Sequence, residues 1–120
     1  MKARIAEVEQ TRPYEEGPFP VNNDIAGMVP KANEAEQRAM VDSIKQVGQI
    51  LGVLVYKGQL VDGRSRQDAL RELKQPIIYI EIPDTKTVDE VRARVFSNHA
   101  RRNLTVGQQR QLEKKTKKKG

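Results

Sequence analysis

The stretch "YKGQLVDGRSRQDAL", residues 56–70, decides how this chain is read. Lys57-Gly58 lies between two short apolar runs, "QILGVLVY" and "QLV", with Gly where a two-residue hairpin turn needs positive φ. The chain then passes Asp62 and Gly63 into a helix that buries Ala69, Leu70 and Leu73 and ends before Pro76. Two arginines, Arg64 and Arg66, crowd the first turn of that helix. A helix start already carries positive partial charge, so cations there are unfavourable unless an anion joins them.

The first-turn N–H groups of a helix have no intrahelical partner, and Gly63 lets a ligand approach the backbone closely. Arg66, with Arg64 beside it, adds fork-shaped donors suited to phosphate oxygens. Together these features describe an anion pocket whose usual occupant is phosphate. The alternative is an ordinary turn in which Asp62 is the N-cap and the arginines pair with surface carboxylates. Both readings stay open at this point.

Outward from the centre, Asn33 and Glu36 have capping-box spacing, and Met40, Ile44, Val47 and Leu51 follow as one apolar helix face. Gly48 is the expected stop of that helix. "IIYIEI", residues 77–82, reads as a strand buried on both faces. Thr87 with Glu90, and Thr105 with Gln108, form two further capping boxes and open two further helices. Residues 1–18 hold two of the first three prolines and read as an extended arm, with "ARIAEV" as an edge strand. The expected order is helix, hairpin, helix, strand, helix, helix, a small mixed α/β domain.

The 120 residues suffice for one domain with a modest core. Aromatics are only 4% of the chain, so that core is aliphatic. Cysteine is absent, which excludes disulfides, Cys-ligated zinc and thiol catalysis. No apolar run reaches the roughly 20 residues of a membrane span, and the N-terminus lacks a signal-peptide core, so a cytoplasmic location is expected. The net charge of +6 is concentrated at one end: residues 109–120 carry six Lys or Arg against one Glu. Residues 113–120 read as a basic tail, whose Lys114, Lys115, Lys117, Lys118 and Lys119 attract polyanions such as DNA without reading sequence.

A second polar constellation lies in "SNHARRNLTVGQQR", residues 97–110. It places Asn98, Arg101 and Arg102 in what reads as a connection between two helices. An amide, two arginines and another helix start are again friendly to phosphate; the alternative is an ordinary joint.

In this order and spacing, "DSIKQVGQ", "YKGQLVDGRSRQDAL" and "NHARRNLTVGQQR" resemble the ParB/sulfiredoxin superfamily, in its ParB N-terminal (ParB-like nuclease) branch, over about residues 19–112. The resemblance implies a ParB/sulfiredoxin-like α/β (α+β) fold with a small mixed sheet, binding a nucleoside triphosphate with Mg²⁺, CTP first and ATP second. It implies that Gly63 and Arg66, with Arg64 and Ser65, hold phosphates. Asn98 and Arg101, with Arg102, would help hold phosphate and Mg²⁺, while Gly48 and Gln49 would lie near the base. Such domains act in chromosome and plasmid partition or transcription regulation, as DNA-bound clamps and homodimers at the nucleoid or on plasmid or phage DNA.

The departures are specific. Ser97 stands where many ParB proteins have Glu, Ser65 where another Arg is common, and Gly52 where Pro is common. Arg64 occupies the position at which sulfiredoxin chemistry needs a cysteine, which excludes that activity. The chain stops near the point where ParB proteins continue into a helix-turn-helix domain, and so reads as a fragment or a reduced stand-alone member. The expected function is a nucleotide-binding module of a DNA-segregation or DNA-regulatory protein, with slow triphosphate hydrolysis as its only enzymatic expectation. The alternatives are an ATP-dependent kinase or nuclease on the same scaffold, and a domain that kept the fold but lost the ligand. No catalytic residue is assigned: His99 is the sole histidine, and Asp62 and Glu81 are the carboxylates nearest the expected pocket.

Overall fold

The computed structural model describes residues 7–102, the side chain of Arg102 excepted. The helix expected from Thr105, the lysines from Lys114 onward and the side chain of Arg102 lie outside the described residues.

Along the chain come β1 (Glu9–Arg12), a single 3₁₀ turn (Tyr14–Glu16), α1 (Asn23–Ala26), α2 (Glu34–Val47), β2 (Val53–Tyr56), β3 (Gln59–Asp62), α3 (Arg64–Glu72), β4 (Ile77–Ile82) and α4 (Val88–Arg102). The strands form a mixed sheet in the order β1-β4-β2-β3, in which only β2 and β4 run parallel. Positive φ at both Lys57 (51°) and Gly58 (79°) makes the β2–β3 connection the tight hairpin that the sequence predicts.

Period-2 alternation divides the core between the two faces of the sheet. Val53, Val55, Leu60 and Ile77 pack on one side with Val41 and Ile44 of α2 and Ala69 and Leu70 of α3. Leu54, Tyr56, Val61 and Ile82 pack on the other with Ile25 of α1 and Val91 and Val95 of α4. The strand "IIYIEI" is fully buried only at its ends, Ile77 and Ile82, because the helices cover its middle incompletely.

The expected capping boxes at Asn33–Glu36 and Thr87–Glu90 are both formed, each by two reciprocal bonds. The bond from the Thr87 N–H is the main reason that the Glu90 carboxyl titrates below its ordinary range. Gly48, at φ +81°, ends α2 as expected. The buried face of α2 is not the expected one. Val41 and Ile44 are buried, Met40 is half-buried, and Val47 and Leu51 are 64% and 56% exposed. The turn at Gly48 carries the chain off the helix axis before Leu51 can continue the stripe.

The N-terminal segment also differs from expectation. The edge strand of the described residues is Glu9–Arg12, paired antiparallel with β4; residues 3–6 of the expected strand "ARIAEV" lie outside the described residues. From Glu9 onward the expected arm belongs to the fold. Arg12 donates to the carbonyls of Gly17 and Glu16 and lies over the ring of Phe19, which is buried. Gln67, 3% exposed, accepts from Phe19 N–H (3.0 Å) and donates to Phe19 O (3.2 Å). A buried amide is tolerated because both of its polar ends are used, and this pair fastens α3 to the N-terminal segment.

Candidate functional site

The site is organised by the step from β3 into α3. Gly63 is the N-cap of α3, at φ +102°, and no side chain caps the helix. Asp62 is therefore not the N-cap that its position suggests; it is the last residue of β3, 7% exposed. Glycine is required at 63 for two reasons. The left-handed backbone disfavours any side chain, and a Cβ would stand 2.6 Å from Cγ1 and 2.9 Å from Cβ of Val53. The first turn of α3 contains no acid, so Arg64, Ser65 and Arg66 sit at a helix start whose positive end is not offset within the helix.

Three bonds anchor that turn to its neighbours. Arg64 Nη2 donates to Val29 O, Ala32 N–H donates to Ser65 Oγ (3.1 Å), and Gln37 Nε2 donates to Ser65 O (3.0 Å). Arg64 and Ser65 thereby fix the α1–α2 connection against α3, and both also face a cleft. This partly answers why two cations share one helix start: one of them is held by a backbone carbonyl.

Three clefts meet at Arg66. The first, about 550 Å³, lies among the α1–α2 connection, the start of α2, the turn Asp62–Arg66 and His99 of α4. The second, about 340 Å³, is lined by Gly52, Asp62, Arg66, Arg94, Asn98 and Arg101 among others. The third, about 500 Å³, is lined by Met40 and Ile44 of α2, by Gly48, Ile50 and Leu51, and by Arg66. The two expected clusters thus come together, since Arg66 shares the second cleft with Asn98 and Arg101. Gly63, Arg64 and Ser65 line the first, and Gly48 the third.

Gln49 is engaged elsewhere. Its Nε2 donates to Leu51 O (2.9 Å) and Ile78 O (2.7 Å), and its Oε1 accepts from Ile78 N–H (2.8 Å), so its amide prolongs the pairing of β4. Asn98 and Arg101 do not lie in a connection, because α4 runs unbroken to Arg102. Val91 and Val95 of the same helix are buried against the sheet, and Asn98 Nδ2 lies 3.5 Å from Asp62 Oδ2. Asp62, Arg66, His99 and Arg101 all make interactions within the protein. Glu81 is exposed and lines none of these clefts.

The sequence reading missed two cations. Arg94 lines the second cleft and pairs with Glu7 at 2.7 Å. Lys31 lines the first and pairs with Asp68 at 3.1 Å. Arg94 had a usable signal: it is four residues before Asn98 and seven before Arg101, one stripe of a helix.

Among solved structures, the chain is similar to the N-domain of a pNOB8-like ParB. In its C2221 form the TM-score is 0.66 at 16% sequence identity, covering 87% of this chain and 42% of the other. A second structure of a pNOB8-like ParB N-domain gives 0.63 at 15% identity, covering 91% and 41%. This chain has the ParB N-domain fold. It spans about two fifths of the length of those ParB chains. A scan against models of protein families and a search of curated proteins found no match. Among the described residues no helix is long and apolar enough to cross a membrane.

Proposed function

We propose that this chain is a nucleotide-binding domain of the ParB type, serving DNA partition or DNA regulation, with CTP as the favoured ligand and ATP the second choice. The observation that carries the reading is the convergence of Arg66 with Asn98 and Arg101 on one cleft, from segments far apart in the sequence. The residues present fit a triphosphate. The start of α3 has neither a side-chain cap nor an acid, so its N–H groups are suited to phosphate oxygens. Arg66 and Arg101 supply charge-assisted donors. The mostly apolar third cleft, lined by both Arg66 and Gly48, has room for a base. Bound Mg²⁺ would offset phosphate charge, with Asn98 among its protein contacts. DNA is the expected macromolecular partner, reached without sequence preference through the basic C-terminal stretch, and a homodimer with a nucleoid or plasmid location is expected on the same analogy.

Calorimetric titration with CTP, ATP and GTP, each with and without Mg²⁺, tests the reading. Arg66→Ala should weaken the preferred nucleotide by about tenfold or more, since a hydrogen bond to a charged group is worth about 1.5–3 kcal/mol. Arg64→Ala should cost less, because Arg64 already serves Val29 O. Silence toward all three nucleotides, or equal small effects from both substitutions, would leave only a surface-charge role for the arginines.

A further inference from the structure

We infer that residues 29–32, in the α1–α2 connection, are a strap that tightens on an anion in the first cleft, and that Ser65 is the residue through which ligand and strap are coupled. The inference concerns the same site as the nucleotide reading above and rests on it for the identity of the anion.

The strap is fastened to one place. Arg64 Nη2 donates to Val29 O, Lys31 Nζ pairs with Asp68 at 3.1 Å, and Ala32 N–H donates to Ser65 Oγ at 3.1 Å. All three partners lie within the first five residues of α3. Val29 packs on the half of the core that α1 and α4 cover, and Asn33 is the N-cap of α2, so both ends of the strap are fixed. Between them burial does little. Pro30 and Lys31 are exposed, Ala32 is half-buried, and none of the three belongs to either half of the core. A segment held by surface polar bonds rather than by apolar burial opens at low free-energy cost. The Lys31–Asp68 pair is exposed on both sides and adds little, which leaves Arg64 and Ser65 as the fastenings.

Those fastenings also wall the first cleft. Residues 29–32 line it together with Gly63, Arg64 and Ser65. Arg64 and Ser65 each have a further bond to give. The guanidinium has five N–H donors, and its bond to Val29 O takes one. The Ser65 hydroxyl accepts from Ala32 N–H, which leaves its own hydrogen to donate. An anion in the cleft is the complementary acceptor, at a helix start with no acid in its first turn. Seated there, it completes a relay from Ala32 N–H through Ser65 Oγ–H to a ligand oxygen. Each bond in such a chain polarises the next, so the ligand tightens the strap. By reciprocity the strap tightens the ligand by the same factor. An arginine at position 65 would have no acceptor to offer Ala32 N–H, so the relay depends on the serine that this chain carries there.

The test follows hydrogen exchange at the Ala32 amide of the full chain, with pyrophosphate and with CTP or ATP and Mg²⁺. The reference is the amide of Val91, whose bond to Thr87 O at the start of α4 is no part of the site. Relative to Val91, each ligand that binds should slow exchange at Ala32 about two- to tenfold, the worth of about one net hydrogen bond. Ser65→Ala removes the relay but keeps the bond from Gln37 Nε2 to the backbone oxygen of residue 65. Its Ala32 amide should exchange quickly with or without ligand, and it should bind the ligand about two- to tenfold more weakly. Ser65→Thr, which keeps a hydroxyl, should restore both. Nucleotide binding with no change at Ala32, faster exchange there, or protection that survives in Ser65→Ala would overturn the strap while the nucleotide reading stands. Pyrophosphate that slows Ala32 in a chain to which neither nucleotide binds would do the reverse. Silence toward all three ligands would overturn both.

Discussion

Gly63→Ala tests the joint on which the site is built. The substitution adds one methyl group where φ is +102° and where that group would lie 2.6 Å from Val53 Cγ1. Val53 cannot move aside cheaply, being 1% exposed within β2 and paired with Tyr79 of β4. Two costs add. A left-handed backbone costs a non-glycine residue about 1–2 kcal/mol, and overpacking a close-packed core costs about 1–3 kcal/mol. The sum, about 2–5 kcal/mol, is a large share of the roughly 5–15 kcal/mol of a typical domain. At about 4 °C per kcal/mol, Tm should fall by roughly 8–20 °C. Gly58→Ala separates the two costs, because Gly58 has nearly the same handedness (φ +79°) with nothing within 4 Å of its Cβ position. It should show the backbone cost alone, about 1–2 kcal/mol. Urea midpoints followed by circular dichroism give both values, and Val53→Ala combined with Gly63→Ala should recover part of the steric cost as favourable coupling. If Gly63→Ala costs no more than Gly58→Ala, and Val53→Ala gives no coupling, then the close contact with β2 does not govern position 63.

Two further outcomes are expected. Gln49→Ala should destabilise by about 1–3 kcal/mol in the same assay, because Ile78 N–H and C=O lose their amide partner; Gln49→Glu should do no better, since a carboxylate cannot donate to Leu51 O and Ile78 O, and an unchanged midpoint would return Gln49 to the list of free ligand-binding groups. Deleting residues 114–120 removes five lysines and should flatten the salt dependence of duplex DNA binding from a log–log slope of about −4 to −5, with nucleotide affinity nearly unchanged; salt-insensitive binding that survives the deletion would show that the folded body reads DNA.

Much of the middle of the chain was legible because its signals are local. The hairpin at Lys57-Gly58, the stop at Gly48 and the two capping boxes depend on residues within a few positions of one another, and local stereochemistry settles each. β1 and α1 were not legible in that way. Glu9–Arg12 has no apolar alternation, and it becomes a strand only because β4 offers an unpaired edge. α1 is four residues long, too short for a periodic pattern; its one local sign is Asn22, whose side chain accepts from Ile25 N–H. The outer face of α2 was misread for a related reason. A stripe at Met40, Ile44, Val47 and Leu51 fits the helical period, but the period does not reveal where the helix ends relative to the sheet. Of the site, the DGRSR turn was readable as a helix start that carries two arginines. The structural duties of Arg64, Ser65 and Gln49 were not, because their partners Val29, Ala32, Gln37 and Ile78 are distant in sequence.

The misplacement of residues 97–102 has a mechanical consequence for the site. In a connection, Asn98, His99 and Arg101 could adjust one at a time around a ligand. On α4 they share one rigid element whose inner face is fixed by Val91 and Val95, 1% and 0% exposed. Arg94, Asn98 and Arg101, spaced by four and three residues, form a single stripe along the second cleft, while His99 reaches the first. The last turns of α4 therefore line two clefts at once, both of which Arg66 lines as well. Because the stripe moves as a unit, a change that tilts α4, such as one at Val95, alters the distances of Arg94, Asn98 and Arg101 from Arg66 together. The coupling between the two sequence clusters thus resides in the packing of α4 on the sheet as much as in the polar residues themselves.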